Sequence, residues 1–122
     1  MLLEPVVAVI DDDEPLRASL VRALRSSGYG VRGFASAEEF VAANGEVSCQ
    51  CVITDIHMPR MSGLDLKRLL VDRGSQIPVI MISGDPDADL ESRAAASGAI
   101  CLLRKPFRTE ALLGWLGEAL NA

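Results

Sequence analysis

Five short apolar runs, each followed by a stretch with helical periodicity, divide the 122-residue chain. The first, Val6–Ile10, is continuously apolar, as expected of a strand buried on both faces. Pro15 suits the first turn of a helix capped by Asp13 or Glu14; Leu16, Leu20, Ala23 and Leu24 follow at helical spacing, and Gly28 closes it. Residues 29–34 read as a second strand, and Ser36-Ala37-Glu38-Glu39 as a capping box opening a helix that turns Phe40 and Val41 inward. Residues 51–55 form a third strand closed by an acid. Pro59 and Gly63 mark the loop after it, and Leu64, Leu66, Leu69 and Leu70 mark the third helix. Residues 79–82 form a fourth strand ending at Ser83-Gly84, followed by an alanine-rich fourth helix over 87–97. The last strand, 100–103, ends at Arg104-Lys105-Pro106, and Thr109 caps a fifth helix carrying Leu112, Leu113, Leu116 and Leu120.

Strand–helix alternation with this period predicts parallel crossovers and a doubly wound, five-stranded α/β sheet covered by five helices. The alternation fills residues 1–122 with no repeat or linker, so one domain is expected and no output domain. An apolar content of 49% is enough for a core, while no run approaches the roughly 20 residues of a membrane span. The start, MLLEPVV, has no basic region before a long apolar stretch, so a cytoplasmic location is expected. With 17 acidic against 12 basic residues and a net charge of −5, direct nucleic-acid binding is not expected. Cys49, Cys51 and Cys101, an odd count, read as reduced thiols, and the C-x-C pair Cys49-Gln50-Cys51 has no second pair or nearby histidine, so a zinc site is not expected.

In an open parallel sheet, ligands sit beyond the carboxyl ends of the strands. Those ends deliver Asp11, Asp12 and Asp13 after the first strand, Asp55 after the third, Ser83 after the fourth and Lys105 after the fifth. Strand ends are polar wherever they meet solvent, which accounts for any one of these groups but poorly for the set. Carboxylates crowded together repel and raise one another's pKa unless a cation sits among them. A hard divalent ion held by few protein carboxylates is the habit of magnesium. Phosphoryl transfer is the chemistry such a set suits, because the cation and the lysine neutralise phosphoryl oxygens and a carboxylate can form an acyl phosphate.

Four motifs carry a resemblance: V-I-D-D-D-E-P-L-R over 9–17, I-T-D-I-H-M-P-R-M-S-G over 53–63, I-S-G over 82–84 and L-R-K-P-F over 103–107. In order and spacing, with Asp55 43 residues after Asp12 and Ser83 28 after Asp55, the chain resembles the response-regulator receiver domain of two-component signalling. The wording is similar to that of FixJ-type receivers. The resemblance implies a flavodoxin-like fold with strand order 2-1-3-4-5. It implies phosphorylation of Asp55 by a sensor histidine kinase, a phosphotransfer protein or a small acyl phosphate. Magnesium, with manganese as a substitute, would be held by Asp12, by Asp11 through water, by Asp55 and by the main-chain carbonyl of His57. Ser83 and Lys105 would bind the phosphoryl group, with Lys105-Pro106 a cis peptide. Asp13, third in the acidic run, would cap a helix.

The side chain of His57 admits three readings, as metal ligand, phosphohistidine or a group beside the pocket, and the resemblance favours the third. Asp85 matches another position that tunes the phosphoryl lifetime, and Gly84 the small residue that leaves the pocket open. Leu102 stands where many receivers carry an aromatic ring whose swing relays the signal. Movement of Ser83 is nevertheless expected to shift the loop before the fourth helix. A homodimer through the fourth helix, last strand and fifth helix is implied, with Arg93, Arg104 and Glu110 as charged contacts. Such a domain assists its own phosphorylation and dephosphorylation and is not a turnover enzyme. The rival from another class is a haloacid-dehalogenase-type phosphatase, mimicked by Asp11-x-Asp13 and by Gly84-Asp85-x-x-x-Asp89. Against it, Lys105 follows the second acidic motif instead of preceding it, and the chain leaves no room for a substrate cap. A constitutive docking module is the third reading.

Overall fold

The computed structural model of the protein describes residues 4–121; residues 1–3 and 122 of the expected domain lie outside them. Its elements run β1 (Val6–Ile10), α1 (Glu14–Ser26), β2 (Gly30–Phe34), α2 (Ala37–Ala42), α3 (Gly45–Ser48) and β3 (Cys51–Asp55). There follow α4 (Gly63–Asp72), β4 (Val79–Ser83), α5 (Ala88–Ala96), β5 (Cys101–Arg104) and α6 (Thr109–Asn121). All strand pairs are parallel, in the order β2-β1-β3-β4-β5. The expected sheet and order are therefore present. Among the described residues the helices number six, because a single turn, α3, stands between α2 and β3. The helices expected fourth and fifth are α5 and α6.

Successive strand residues point to opposite faces, and the core divides accordingly. Ala8 and Ile10 of β1 pack with Phe40, Leu66, Leu70, Leu90 and Ala94, under α2, α4 and α5. Val7 and Val9 pack with Leu20, Leu24, Leu112 and Leu116, under α1 and α6. Every residue of β3 and β4 is buried, which is why each strand begins as an apolar run before its polar end at Thr54-Asp55 or Ser83. The cysteines are free thiols, and burial pushes Cys51 up to about 12 and Cys101 up to about 11. Among the described residues, no helix is long and apolar enough to cross a membrane.

Capping follows the sequence at α1 and α2 with one exchange, while Thr109, expected to cap the last helix, is instead the first residue of α6. Asp13 caps α1 by accepting the Leu16 N–H at 3.3 Å. Ser36 caps α2 by accepting the Glu39 N–H at 3.1 Å. The reciprocal box expected at 36–39 is instead closed at α4, where Ser62 accepts from Asp65 N and Asp65 accepts from Ser62 N, both at 3.1 Å.

Candidate functional site

Register aligns the carboxyl ends of the central strands. Ile10 pairs with Thr54 and Asp55 with Ile82, so Asp11 and Asp55 leave neighbouring strands on one rim, and Ser83 lies one residue past the partner of Asp55. Asp11, Asp55 and Ser83 are 1%, 7% and 0% exposed, unusual values for polar side chains. Asp11, Asp12 and Asp55 each present a carboxylate oxygen, the three lying within 4.8 Å of one another. Asp12 is exposed and so forms the solvent side of the trio.

Each group is held by identifiable contacts. Asp11 Oδ1 accepts the Asp13 N–H at 2.9 Å, while the Arg17 guanidinium donates to the Asp11 main-chain oxygen at 2.7 Å. Asp55 Oδ1 accepts the His57 N–H at 3.0 Å, and Asp55 Oδ2 accepts from Lys105 Nζ at 2.8 Å. Lys105 Nζ lies 3.6 Å from Asp11 Oδ2, an ion-pair distance too long for a hydrogen bond. The Lys105 amide donates to the Ser83 carbonyl at 2.9 Å, and the Lys105–Pro106 peptide is cis.

Burial raises Asp11 above the usual carboxylate range. The Asp13 amide opposes that shift, the charges of Asp55 and Asp12 add to it, and Lys105 opposes it. For Lys105, burial pulls the ammonium down, but the hydrogen bond and charge of Asp55 and the charge of Asp11 outweigh it and the net shift is upward. Asp11 and Asp55 thus share one ammonium, with the Asp12 carboxylate beside them. Asp11 Oδ2 and Ser83 Oγ are buried without a hydrogen-bond partner. Buried polar atoms are seldom left in that state. A hard divalent cation fits this all-oxygen donor set and would answer the excess negative charge.

The remaining expected residues fall on two sides of this centre. His57 and Asp85 are exposed and border one cleft of about 180 Å³ with Asp87, Asp89, Leu90 and Arg93. Gly84 is exposed, and a Cβ there would meet nothing within 4 Å. Asp13 turns its carboxylate to the N-terminus of α1, which removes the second acid from the phosphatase-like Asp11-x-Asp13 pattern. Leu102, in β5 opposite Met81, lines a groove of about 420 Å³ between α5 and β5 with Pro86, Ala95, Ile100 and Arg104. Arg104 donates to the Pro86 carbonyl at 3.3 Å, while Arg93 borders the cleft beside His57.

Three contributors were given no role at the site by the sequence. Arg17 sits one turn past the cap of α1 and reaches back to Asp11; its place within the first motif was the available signal. Gly63 packs so closely that a Cβ would lie 2.7 Å from the Asp55 carbonyl oxygen. Glu38, read as part of a capping box, instead accepts the Met61 N–H at 3.1 Å.

Comparison with known proteins places this geometry in context. The family model for the response regulator receiver domain matches residues 7–116. Response regulator protein TmoT of Ectopseudomonas mendocina is 44% identical over 118 residues, 97% of this chain and 54% of that protein. Transcriptional regulatory protein FixJ of Azorhizobium caulinodans is 40% identical over 115 residues, 94% of this chain and 54% of that protein. The chain spans about half the length of the curated relatives it matches. Among solved structures, FixJ-N superposes with a TM-score of 0.89 at 34% identity, covering 98% of this chain and 96% of that one.

Proposed function

The chain belongs to the response regulator receiver family of two-component systems, and from that premise we propose that Asp55 accepts a phosphoryl group. Response regulators are the partners of sensor histidine kinases. In this chain the donor is such a kinase's phosphohistidine, a phosphotransfer protein or a small acyl phosphate. The observation that carries the reading is the Asp55 carboxylate itself. It is buried on a rim beside two further carboxylates and touched by one lysine, with an unspent buried hydroxyl one residue past its ladder partner.

An oxygen of the Asp55 carboxylate attacks phosphorus; the new O–P bond forms as the donor's bond to phosphorus breaks, P–N with imidazole leaving from a phosphohistidine or P–O with a carboxylate leaving from an acyl phosphate. Asp11, Asp12, Asp55 and the His57 main-chain carbonyl would hold magnesium, or manganese in its place, and the ion would neutralise the phosphoryl oxygens. Lys105 exchanges its carboxylate contact for a phosphoryl oxygen, and Ser83 Oγ gains the partner it lacks. His57 and Asp85, across one cleft, govern how readily water reaches the acyl phosphate, and Gly84 leaves the approach open. The domain thereby assists both its phosphorylation and its dephosphorylation and remains a regulatory module.

Phosphorylation shifts a two-state surface. With leucine at position 102, the change is carried by repacking of Leu102 in the groove between α5 and β5 as the Ser83 loop moves. The α5–β5–α6 face is the surface offered to a second copy, with Arg93, Arg104 and Glu110 at its edge. Transcriptional regulation, the role in the name of the relative FixJ, is the output we assign to the switch. Intact mass after treatment with acetyl phosphate and magnesium tests the chemistry. Wild type is expected to gain one phosphoryl group and Asp55→Asn none; equal gain by both would overturn the assignment.

A further inference from the structure

The loop between β3 and α4 contains a residue in an unfavourable conformation, and a side chain from another helix holds its neighbour. Arg60 sits at φ +67°, the left-handed region that non-glycine side chains enter only at a cost. Met61, next in sequence, donates its N–H to Glu38 Oε2 of α2 at 3.1 Å. The other oxygen, Glu38 Oε1, is buried with no hydrogen-bond partner, so this carboxylate is not an ordinary solvated surface charge. At the start of the same loop, the His57 N–H is held on Asp55 Oδ1 at 3.0 Å, and the Gly63 N–H closes back onto the Ile56 carbonyl at 3.0 Å. The loop is therefore tied at both ends to the segment carrying Asp55, and its middle is tied to α2.

We infer that Glu38 is a positioning residue for the Asp55 carboxylate. By taking the Met61 N–H it holds the 56–62 loop, Arg60 included, in the shape that keeps the His57 N–H on Asp55 and orients that carboxylate toward a divalent cation. The inference rests on the reading of Asp55, Asp11 and Asp12 as the cation-binding acceptor site. The competing role for Glu38, a first-turn acid that complements the dipole of α2, depends on charge and not on reach.

Two conservative variants separate these roles. Glu38→Asp keeps the charge but is one methylene short of Met61, whereas Glu38→Gln loses the charge and keeps the reach and an acceptor oxygen. Three readouts apply to each: Mn2+ affinity of the unphosphorylated protein by electron paramagnetic resonance, exchange of the His57 and Met61 amides, and the Mg2+ dependence of phosphoryl uptake from acetyl phosphate. Glu38→Asp is expected to weaken Mn2+ roughly tenfold, the usual effect of disturbing a group that orients a ligand. It should also hasten exchange of both amides and raise the half-saturating Mg2+ while sparing the rate at saturation. Glu38→Gln is expected to stay within about twofold of wild type, since its amide oxygen still accepts the bond. Unchanged Mn2+ affinity in Glu38→Asp, equal losses in both variants, or a loss confined to Glu38→Gln would overturn the inference while leaving the acceptor site standing. Wild-type protein that binds no Mn2+ and takes up no phosphoryl group would overturn the acceptor site and this inference together.

Discussion

The loops after β3, which carries the proposed acceptor Asp55, and after its neighbour β4 are built in opposite ways. The loop after β3 is pinned along its length, with His57 on Asp55, Met61 on Glu38, Gly63 on Ile56 and a closed capping box at Ser62 and Asp65. The loop after β4 leaves Ser83 Oγ unbonded and Gly84 and Asp85 exposed, and it is fixed again only at Pro86, which accepts from Arg104, and at Asp87, which caps α5. One loop presents a carboxylate in a fixed place. The other exposes Gly84 and Asp85 beside a buried hydroxyl with no hydrogen-bond partner. In the switch we propose, the first would receive the signal and the second would answer it.

The comparison breaks most completely at Asp55. Asp55→Asn should remove phosphoryl uptake altogether, and with it any change in the amide spectrum of residues 84–103. Phosphorylation of wild type that left those amides where they were would refute the mobile role given to the second loop.

Next in size is Gly63→Ala. Alanine in the first turn of a helix normally gains up to about 1 kcal/mol over glycine. Here its Cβ would stand 2.7 Å from the Asp55 carbonyl oxygen and 3.1 Å from Ile56 Cα, both main-chain atoms that cannot swing aside. Overpacking of that kind costs about 1–3 kcal/mol, so a net loss of roughly 2 kcal/mol is expected in urea unfolding. A neutral result would show that the first loop is softer than its contacts imply.

The cation should stabilise the pinned side in a pH-dependent way. Asp11 is raised above its ordinary 3.8 mainly by burial, so the folded protein binds its proton more tightly than the unfolded chain does. Stability of the metal-free protein therefore falls as pH rises from 3.8 through the raised value, because ionising Asp11 costs more in the folded state. Magnesium, which requires the ionised form, should restore it. The gain in melting temperature on adding Mg2+ should be full above the raised value and shrink as pH falls through it toward 3.8. A gain that does not vary with pH would place the ion away from Asp11.

Much of this arrangement is legible in the sequence because it is built from strand ends. Strands buried on both faces leave continuous apolar runs, so Asp11, Asp55 and Ser83 could be placed on one rim by counting from where each run stops. The turn α3 left no such trace: it spans four residues, its Val47 is 80% exposed, and its Gly45 packs against the Phe40 ring with no space for a Cβ. Glu38 was illegible for another reason. A glutamate two residues past a serine cap reads as a helix-start residue, and nothing local announces a bond to an amide 23 residues away. Side chains that act along their own element can be inferred from spacing, and those that tie two elements together need the fold.

On the second loop, Ser83→Ala should separate response from stability. The hydroxyl is buried without a partner, and replacing an unsatisfied polar group by an apolar one is close to neutral, within about 1 kcal/mol. The shift of the 84–103 amides on phosphorylation should nevertheless shrink. The smallest effect is expected one residue on. At Gly84 a Cβ would meet nothing within 4 Å, and no positive φ demands glycine. Gly84→Ala should therefore change stability by no more than about 0.5–1 kcal/mol, with any gain coming from a less flexible unfolded chain. Set beside Gly63→Ala, the same added methyl tests one site with no space and another with nothing around it. If both variants unfolded at the same urea concentration, the contrast between a pinned and a free loop would be lost; if Gly84→Ala slowed phosphoryl uptake while leaving stability intact, the open side of the site would be identified as the donor's approach.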